Sequence, residues 1–447
     1  MSLFYFYWGF FLVQRGNQSS DTGKVILFSN VLRRATANGA MLVTIPFAIY
    51  AYRRVLRQDG ELLYYLSWID DATKTAHGGL YLAGWTPTPV MAYPFGAGIF
   101  LMFFHLLNTM IKGHDSIGIA WAIPNIATTL VTIILLWRTR MKGRALALAY
   151  FFATISVLGI MYTHRIEPFA VTITVAGLIA MIRHQEIKAG FLLTFAGFIK
   201  VWPLALVIAI GVFFRRWKTL ATASTIMIFI SFAGFLTNGL PWSWLTFAKN
   251  RPLQIESLSA LPALYTTYFG SHAYKVISFW GDALSGPYLK TINHAILLLV
   301  VLTISVAGWR ARRTLTSPKI TEVHLAFLLA VTLGEIISNP VFSGQYLSWL
   351  TPVICVALLF NTLAIETFIC FAATLLTGMF YPYKYEGLKA EVPFISSLSV
   401  ISIRDLFLLL AFFACLYRIA TTKEPKVLEF ASNEKKKKRR FRSLQIR

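Results

Sequence analysis

Uninterrupted apolar stretches of roughly 20 residues recur along the chain, separated by short polar and often basic connections, and a helix needs a stretch of about that length to cross a bilayer core. The pattern predicts spanning helices near 39–56, 117–137, 145–162, 166–182, 217–236, 289–309, 321–338, 346–362, 363–380 and 401–419. Two stretches read differently. The segment 95–111 fits a re-entrant or interfacial helix. The segment 189–214 carries Lys200 and Pro203 at its middle, so it is predicted as two half-length or tilted helices meeting at Lys200-Val201-Trp202-Pro203. Within 57–94, apolar or aromatic residues at 62, 65, 66 and 69 suit an amphipathic helix lying at the interface.

Composition turns this pattern into a class. Of 447 residues, 56% are hydrophobic and 14% charged, whereas a soluble domain carries about 25% charged residues. The chain therefore reads as a polytopic membrane protein. Lys and Arg number 42 against 19 Asp and Glu, an excess that topology explains better than nucleic acid does. Short basic loops mark the cytoplasmic side, and the clusters Arg138–Arg144, Arg183/Lys188, Arg215–Lys218, Arg310–Lys319 and Lys435–Arg440 all fall there if 189–214 turns back at Lys200. The expected organisation is an N-terminal segment 1–38, partly interfacial; a transmembrane domain 39–420 with extracytoplasmic loops 57–94 and 237–288; and a basic cytoplasmic tail 421–447 that tethers to anionic lipid. Cys355, Cys370 and Cys415 lie in apolar runs without metal-ligand spacing.

Ionisable groups at membrane depth are costly unless they serve a pathway or a site, so the loops on the opposite side hold the candidates. Asp59 opens the interfacial helix, with Asp70 and Asp71 further along it. A carboxylate there can take the proton of an acceptor hydroxyl; equally, an aspartate is favoured at the positive end of a helix, and Asp70 and Asp71 can form a solvated face with Lys74. Arg251, Gln254, Glu256 and Ser257 fall within seven residues of one another. The planar arginine fork suits an anionic headgroup or a lipid-linked phosphate, while the alternative is a loop anchored at the interface by Arg251 and the Trp242/Trp244 pair. The turn 338–349 places Ser343, Gln345 and Tyr346 at the membrane edge, with more side-chain donors than a plain loop needs. For Glu167 and Glu335 an ion pair is as good a reading as catalysis. No phosphate-cradling Gly-rich loop, zinc-type His/Glu helix or nucleophile elbow occurs.

Four segments together resemble the polyprenyl-phosphate-sugar-dependent GT-C glycosyltransferases, specifically glycosyltransferase family 87, whose members include membrane mannosyltransferases. They are the Arg251–Ser257 loop, the Val341–Trp349 turn, the Lys200–Pro203 break, and Phe380–Tyr385 followed by Ile403-Arg404-Asp405. Asp59, Tyr64, Gly78-Gly79, Tyr81 and Tyr93-Pro94 follow the order of the family's first extracytoplasmic loop. The resemblance implies an all-α GT-C-type bundle of about 11–13 transmembrane or half-spanning helices with an extracytoplasmic interfacial helix. It implies inverting transfer of a sugar, mannose by preference, from a polyprenyl phosphate to a lipid or glycan acceptor hydroxyl at the extracytoplasmic face. Asp59, or else Asp70 or Asp71, would be the base. Arg251, Lys200 and Arg165 would hold the donor phosphate, and Gln254, Glu256, Ser257, Ser343, Gln345 and Tyr346 would complete the substrate site. A polyprenyl phosphate is already a good leaving group, so no cofactor is required, and a divalent metal is compatible. The competing class is a transporter or lipid-carrier flippase. Against it stand the lack of repeated halves and the gathering of polar residues on one face.

Overall fold

The computed structural model describes residues 93–111, 116–236, 251–271, 273–278, 281–313 and 320–423, Leu428, and single positions or short pieces within 38–67 and 242–249. Asp59, Asp70 and Asp71, most of the 57–92 loop and the Lys435–Arg440 run lie outside the described residues.

The chain is an all-α polytopic membrane protein. Its helices are α1 (Phe95–Met110), α2 (Ser116–Arg138), α3 (Arg144–Leu158), the short α4 (Ile160–Thr163), α5 (Glu167–Ile182), α6 (Glu186–Ile199), α7 (Pro203–Ile208, continued as one π-turn to Phe213), α8 (Trp217–Leu236), α9 (Leu261–Tyr268), α10 (Leu289–Arg313), α11 (Glu322–Ser338), α12 (Leu350–Leu359, led in by a 3-10 turn Gly344–Trp349), α13 (Ala364–Tyr383), α14 (Tyr385–Lys389) and α15 (Ile395–Thr421). Among the described residues five helices are long and apolar enough to span a membrane, and the shorter apolar helices fill the interior. A helix apolar on every side faces either core or lipid. α11 and α12 are the first kind, buried along nearly their whole length, whereas α8 and α10 turn Phe229, Phe235, Leu298 and Leu299 outward as lipid-facing helices do.

The basic clusters share one end of the bundle. Gly143 N donates to Leu359 O (3.3 Å), Arg216 pairs with Glu186 (2.9 Å), Phe214 packs edge-on against His324, Arg418 forks onto Glu366 (2.6 and 3.2 Å), and Arg310 donates to Ala420 O (3.0 Å). At the other end the 163–167, 200–203, 251–257, 338–349 and 381–395 segments meet. α1 stays with this second end. It begins beside Tyr93, which covers Lys200, and its Phe104 packs on Trp121, whose indole N–H donates to Thr163 O (2.8 Å) in the 163–167 turn. This 16-residue helix is the segment expected from the sequence to be re-entrant or interfacial.

Three features depart from the sequence reading. The stretch expected as one helix over 145–162 breaks at Gly159, whose φ of +53° with ψ of −122° only glycine adopts without strain. The loop 237–288 contains a small antiparallel sheet of β1 (Leu253–Gln254), β2 (Lys275–Ser278) and β3 (Asp282–Ser285), in the order β1-β3-β2, beneath which α9 packs. Strands of two to four residues are too short to show alternation. α15 starts at Ile395 instead of 401, which places Arg404 and Asp405 well inside a 27-residue helix.

Candidate active site

The site is built where helix ends converge. α5 opens with Glu167 in its first turn and Pro168 beside it, a proline that gives up no helical hydrogen bond there, and a carboxylate at a helix start meets the positive end of the dipole. α6 runs antiparallel and ends at Lys200, which is extended (φ −146°) and lets Pro203 start α7 afresh. A cation at a helix C-terminus is favoured for the mirror-image reason. The two ends bring Lys200 Nζ to 2.8 Å from Glu167 Oε1, with side-chain exposures of 7% and 0%. Among the described residues Glu167 Oε2 has no hydrogen-bond partner.

Aromatic rings wall this ion pair. Lys200 Nζ stands 4.1 Å from the centre of the Tyr93 ring and 5.6 Å from that of Tyr346, placements that attract a cation to the ring face. Tyr346 stacks on Trp349 (4.0 Å), and Trp349 on Trp202 (5.8 Å), so the 344–349 turn and the 200–203 break are packed together through three rings. Arg165 and Arg251, both half-buried, are close enough to act electrostatically on Lys200 and on Tyr346. Arg165 is held from behind: Thr163 O accepts both Trp121 Nε1 and Asn125 Nδ2 (2.9 Å), which fixes the turn that carries it. Three cations on three separate segments thus gather near one another, Lys200 among them paired with the Glu167 carboxylate.

A second polar cluster adjoins the first through Tyr346, on which Glu256 also acts. Glu256 accepts the Tyr381 hydroxyl, and Arg404 Nη1 lies 3.5 Å from its Oε2. Arg404 also donates Nε to Asp405 Oδ1 (2.8 Å) and Nη2 to the Glu256 main-chain oxygen (2.6 Å). Burial pushes the Glu256 carboxyl up to about 7, outweighing the opposite pull of Arg404 and of the Tyr381 hydrogen bond.

Of the residues singled out in the sequence, Arg165, Lys200, Arg251 and Tyr346 come together in the first cluster, and Glu256 stands in the second. Gln254 and Ser257 support the loop: Gln254 N donates to Pro340 O (2.8 Å), and the Ser257 hydroxyl closes a turn onto Gln254 O (2.8 Å). Ser343 precedes the 3-10 turn, its carbonyl accepting from Tyr346 N, while Gln345 is buried with its side-chain oxygen unpartnered. Glu335 Oε2 is likewise buried without a partner. Sequence reasoning missed Glu167 as the partner of Lys200, and Tyr93, Tyr381 and the Arg404–Asp405 pair as site groups. Lengths alone point to the first: antiparallel helices of 16 and 14 residues joined by a tight turn must bring the start of α5 against the end of α6. Among the described residues no group of three or more His, Cys, Asp and Glu side chains is placed to hold a metal ion.

The fold is that of an all-α membrane protein with Lys200, Arg165 and Arg251 gathered at one end of the bundle, opposite its basic loops. The profile of glycosyltransferase family 87 matches residues 92–338, more than half the chain and the part that carries Tyr93, Arg165, Glu167, Lys200, Arg251 and Glu256. The protein belongs to glycosyltransferase family 87 and is a membrane glycosyltransferase. No curated protein and no solved structure matches the chain.

Proposed function

We propose that this glycosyltransferase moves mannose from a polyprenyl-phosphate donor to the hydroxyl of a lipid or glycan acceptor, with inversion, at the extracytoplasmic face of the cell membrane. The observation that carries the reading is the gathering of Arg165, Lys200 and Arg251, with Lys200 paired to Glu167, at the end of the bundle away from the basic loops. By the positive-inside rule the basic end, with the C-terminus, is cytoplasmic, so the cluster faces out. Its excess positive charge suits a phosphate, and suits it better as the reaction proceeds. The acceptor oxygen bonds to the anomeric carbon while the bond from that carbon to the phosphate oxygen breaks, leaving its electron pair, and a second negative charge, on the phosphate. Groups fixed in a low-dielectric site that meet the growing charge lower the barrier without reorganising. Attack from the face opposite the leaving phosphate inverts the anomeric centre.

The acceptor proton needs a base. Asp59 is assigned that role, with Asp70 and Asp71 as the alternatives, from their place in the first loop. Tyr65 of that loop stacks on Trp121 (5.3 Å) at the site end, which supports the loop's presence there. Asp59→Asn should abolish turnover while leaving polyprenyl phosphate bound, since an amide takes no proton at neutral pH. Near-normal rates in that variant, with loss in Asp70→Asn or Asp71→Asn, would move the role along the helix.

A further inference from the structure

Arg404 lies inside a membrane-spanning helix with none of its surface exposed, a place where an arginine is costly and marks a site by default. Its bonds explain little if its task is only to neutralise Asp405, the next residue on the same helix. Nε donates to Asp405 and Nη2 to the main-chain oxygen of Glu256, while Nη1 stands at ion-pair distance, 3.5 Å, from the Glu256 side chain without a hydrogen bond to it. A main-chain bond fixes the path of the loop, whereas a carboxylate contact alone leaves the backbone free. The flat face of the same guanidinium covers the Phe342 ring at 4.1 Å. Phe342 opens the turn whose Tyr346 walls Lys200, and Glu256 lies five residues beyond Arg251 in the loop that carries it. A main-chain hydrogen bond from Gln254 N to Pro340 O also joins the two segments.

We propose that Arg404 is a positioning residue that clamps the Arg251 loop to the Tyr346 turn, so that the two walls of the phosphate site keep their spacing although Arg404 does not touch the donor. The inference rests on the reading that Arg251 and Lys200 hold a lipid-linked phosphate. The consequence is specific: loss of Arg404 loosens both segments at once and weakens phosphate binding, whereas loss of Arg251 weakens binding and leaves the turn in place.

The test uses the full chain in lipid nanodiscs, comparing wild type, Arg404→Lys, the double variant Arg404→Gln/Asp405→Asn, which strands less buried charge than Arg404→Gln alone, and Arg251→Ala. Backbone hydrogen exchange is followed at 253–257 and 341–346, and binding is measured with unglycosylated polyprenyl monophosphate as the probe. The double variant should exchange faster in both segments with the basic end unchanged, and should bind the probe about tenfold to a hundredfold more weakly, the order of loss that a ~1 Å misplacement of the binding groups brings. Arg404→Lys, which keeps the charge but not the three-way fork, should fall between. In steady state the loss should sit mainly in donor KM and not in kcat. Unchanged exchange at either segment, or faster exchange with wild-type probe affinity, overturns the clamp. If the wild type binds no polyprenyl phosphate, the donor reading fails, and coordinated loosening of both segments in the double variant still upholds the clamp.

Discussion

Removing Lys200 tests the site at its most enclosed point. The ion pair with Glu167 spans 2.8 Å, with side-chain exposures of 7% and 0%, so Lys200→Met leaves a carboxylate in a place water scarcely reaches. Breaking a buried pair by deleting one partner costs about 3–5 kcal/mol, while replacing both partners by neutral groups is often close to neutral. Against a total stability on the order of 5–15 kcal/mol, the single change is severe. Lys200→Met should therefore unfold much more readily, and Lys200→Met/Glu167→Gln should recover at least half of the loss. Stability and activity then separate, because the double variant regains the fold without regaining the cation. Denaturant unfolding in mixed micelles reads the first quantity, and sugar transfer at saturating donor reads the second. Wild-type stability in Lys200→Met would refute the buried pair. Restored transfer in the double variant would refute the role of Lys200 in holding phosphate.

Glu256 gives a pH signature: its carboxyl is raised from an ordinary 4.5 to about 7, so the folded chain binds this proton more tightly than the unfolded one. The stability it contributes, on the order of 3 kcal/mol, is full below pH 4.5 and is lost as pH rises through 7; Glu256→Gln should flatten the stability curve over that window, and an unaltered slope would count against the buried carboxyl. Gly344 has no room for a side chain, since an added Cβ meets Met161 Sδ at 2.8 Å and the Tyr381 ring at 2.9 Å, so Gly344→Val should push Tyr381 off Glu256 and depress transfer, whereas full activity would show that the turn yields freely. Leu428 is buried and its N–H donates to Ile320 O (2.8 Å), so deleting 429–447 should leave transfer in detergent intact, while a cut after Thr422 should also cost roughly 1.5–3 kcal/mol from the lost side-chain burial; equal stability of the two truncations would contradict the packing of Leu428.

Much of the architecture was legible because the bilayer imposes a length and sidedness on each segment. Lys200 and Pro203 inside an apolar run announced a helix break, and the break falls at Lys200 itself. The basic connections announced a common end, and the contacts among Gly143, Arg216, Arg310 and Arg418 with their partners gather them there. What stayed hidden depends on distance along the chain. Glu167 and Lys200 pair across two antiparallel helices, and Arg404 reaches back 148 residues to Glu256. Periodicity carries no information about such partners. The 253–285 sheet was hidden because its strands are too brief to pattern, and Arg404-Asp405, although part of the family resemblance, gave no sign of its bond to Glu256 because a helix that remains apolar around it reads as a span from end to end.

The most direct measurement incubates the purified protein in lipid with radiolabelled polyprenyl-phosphate mannose, extracts the lipids and glycans, and follows the label. The proposed function predicts label moving to an acceptor with inverted anomeric configuration, release of polyprenyl monophosphate in equal amount, no transfer in Asp59→Asn and reduced transfer in Arg251→Ala. Label that stays on the donor, or that crosses the bilayer still attached to its carrier, would contradict it.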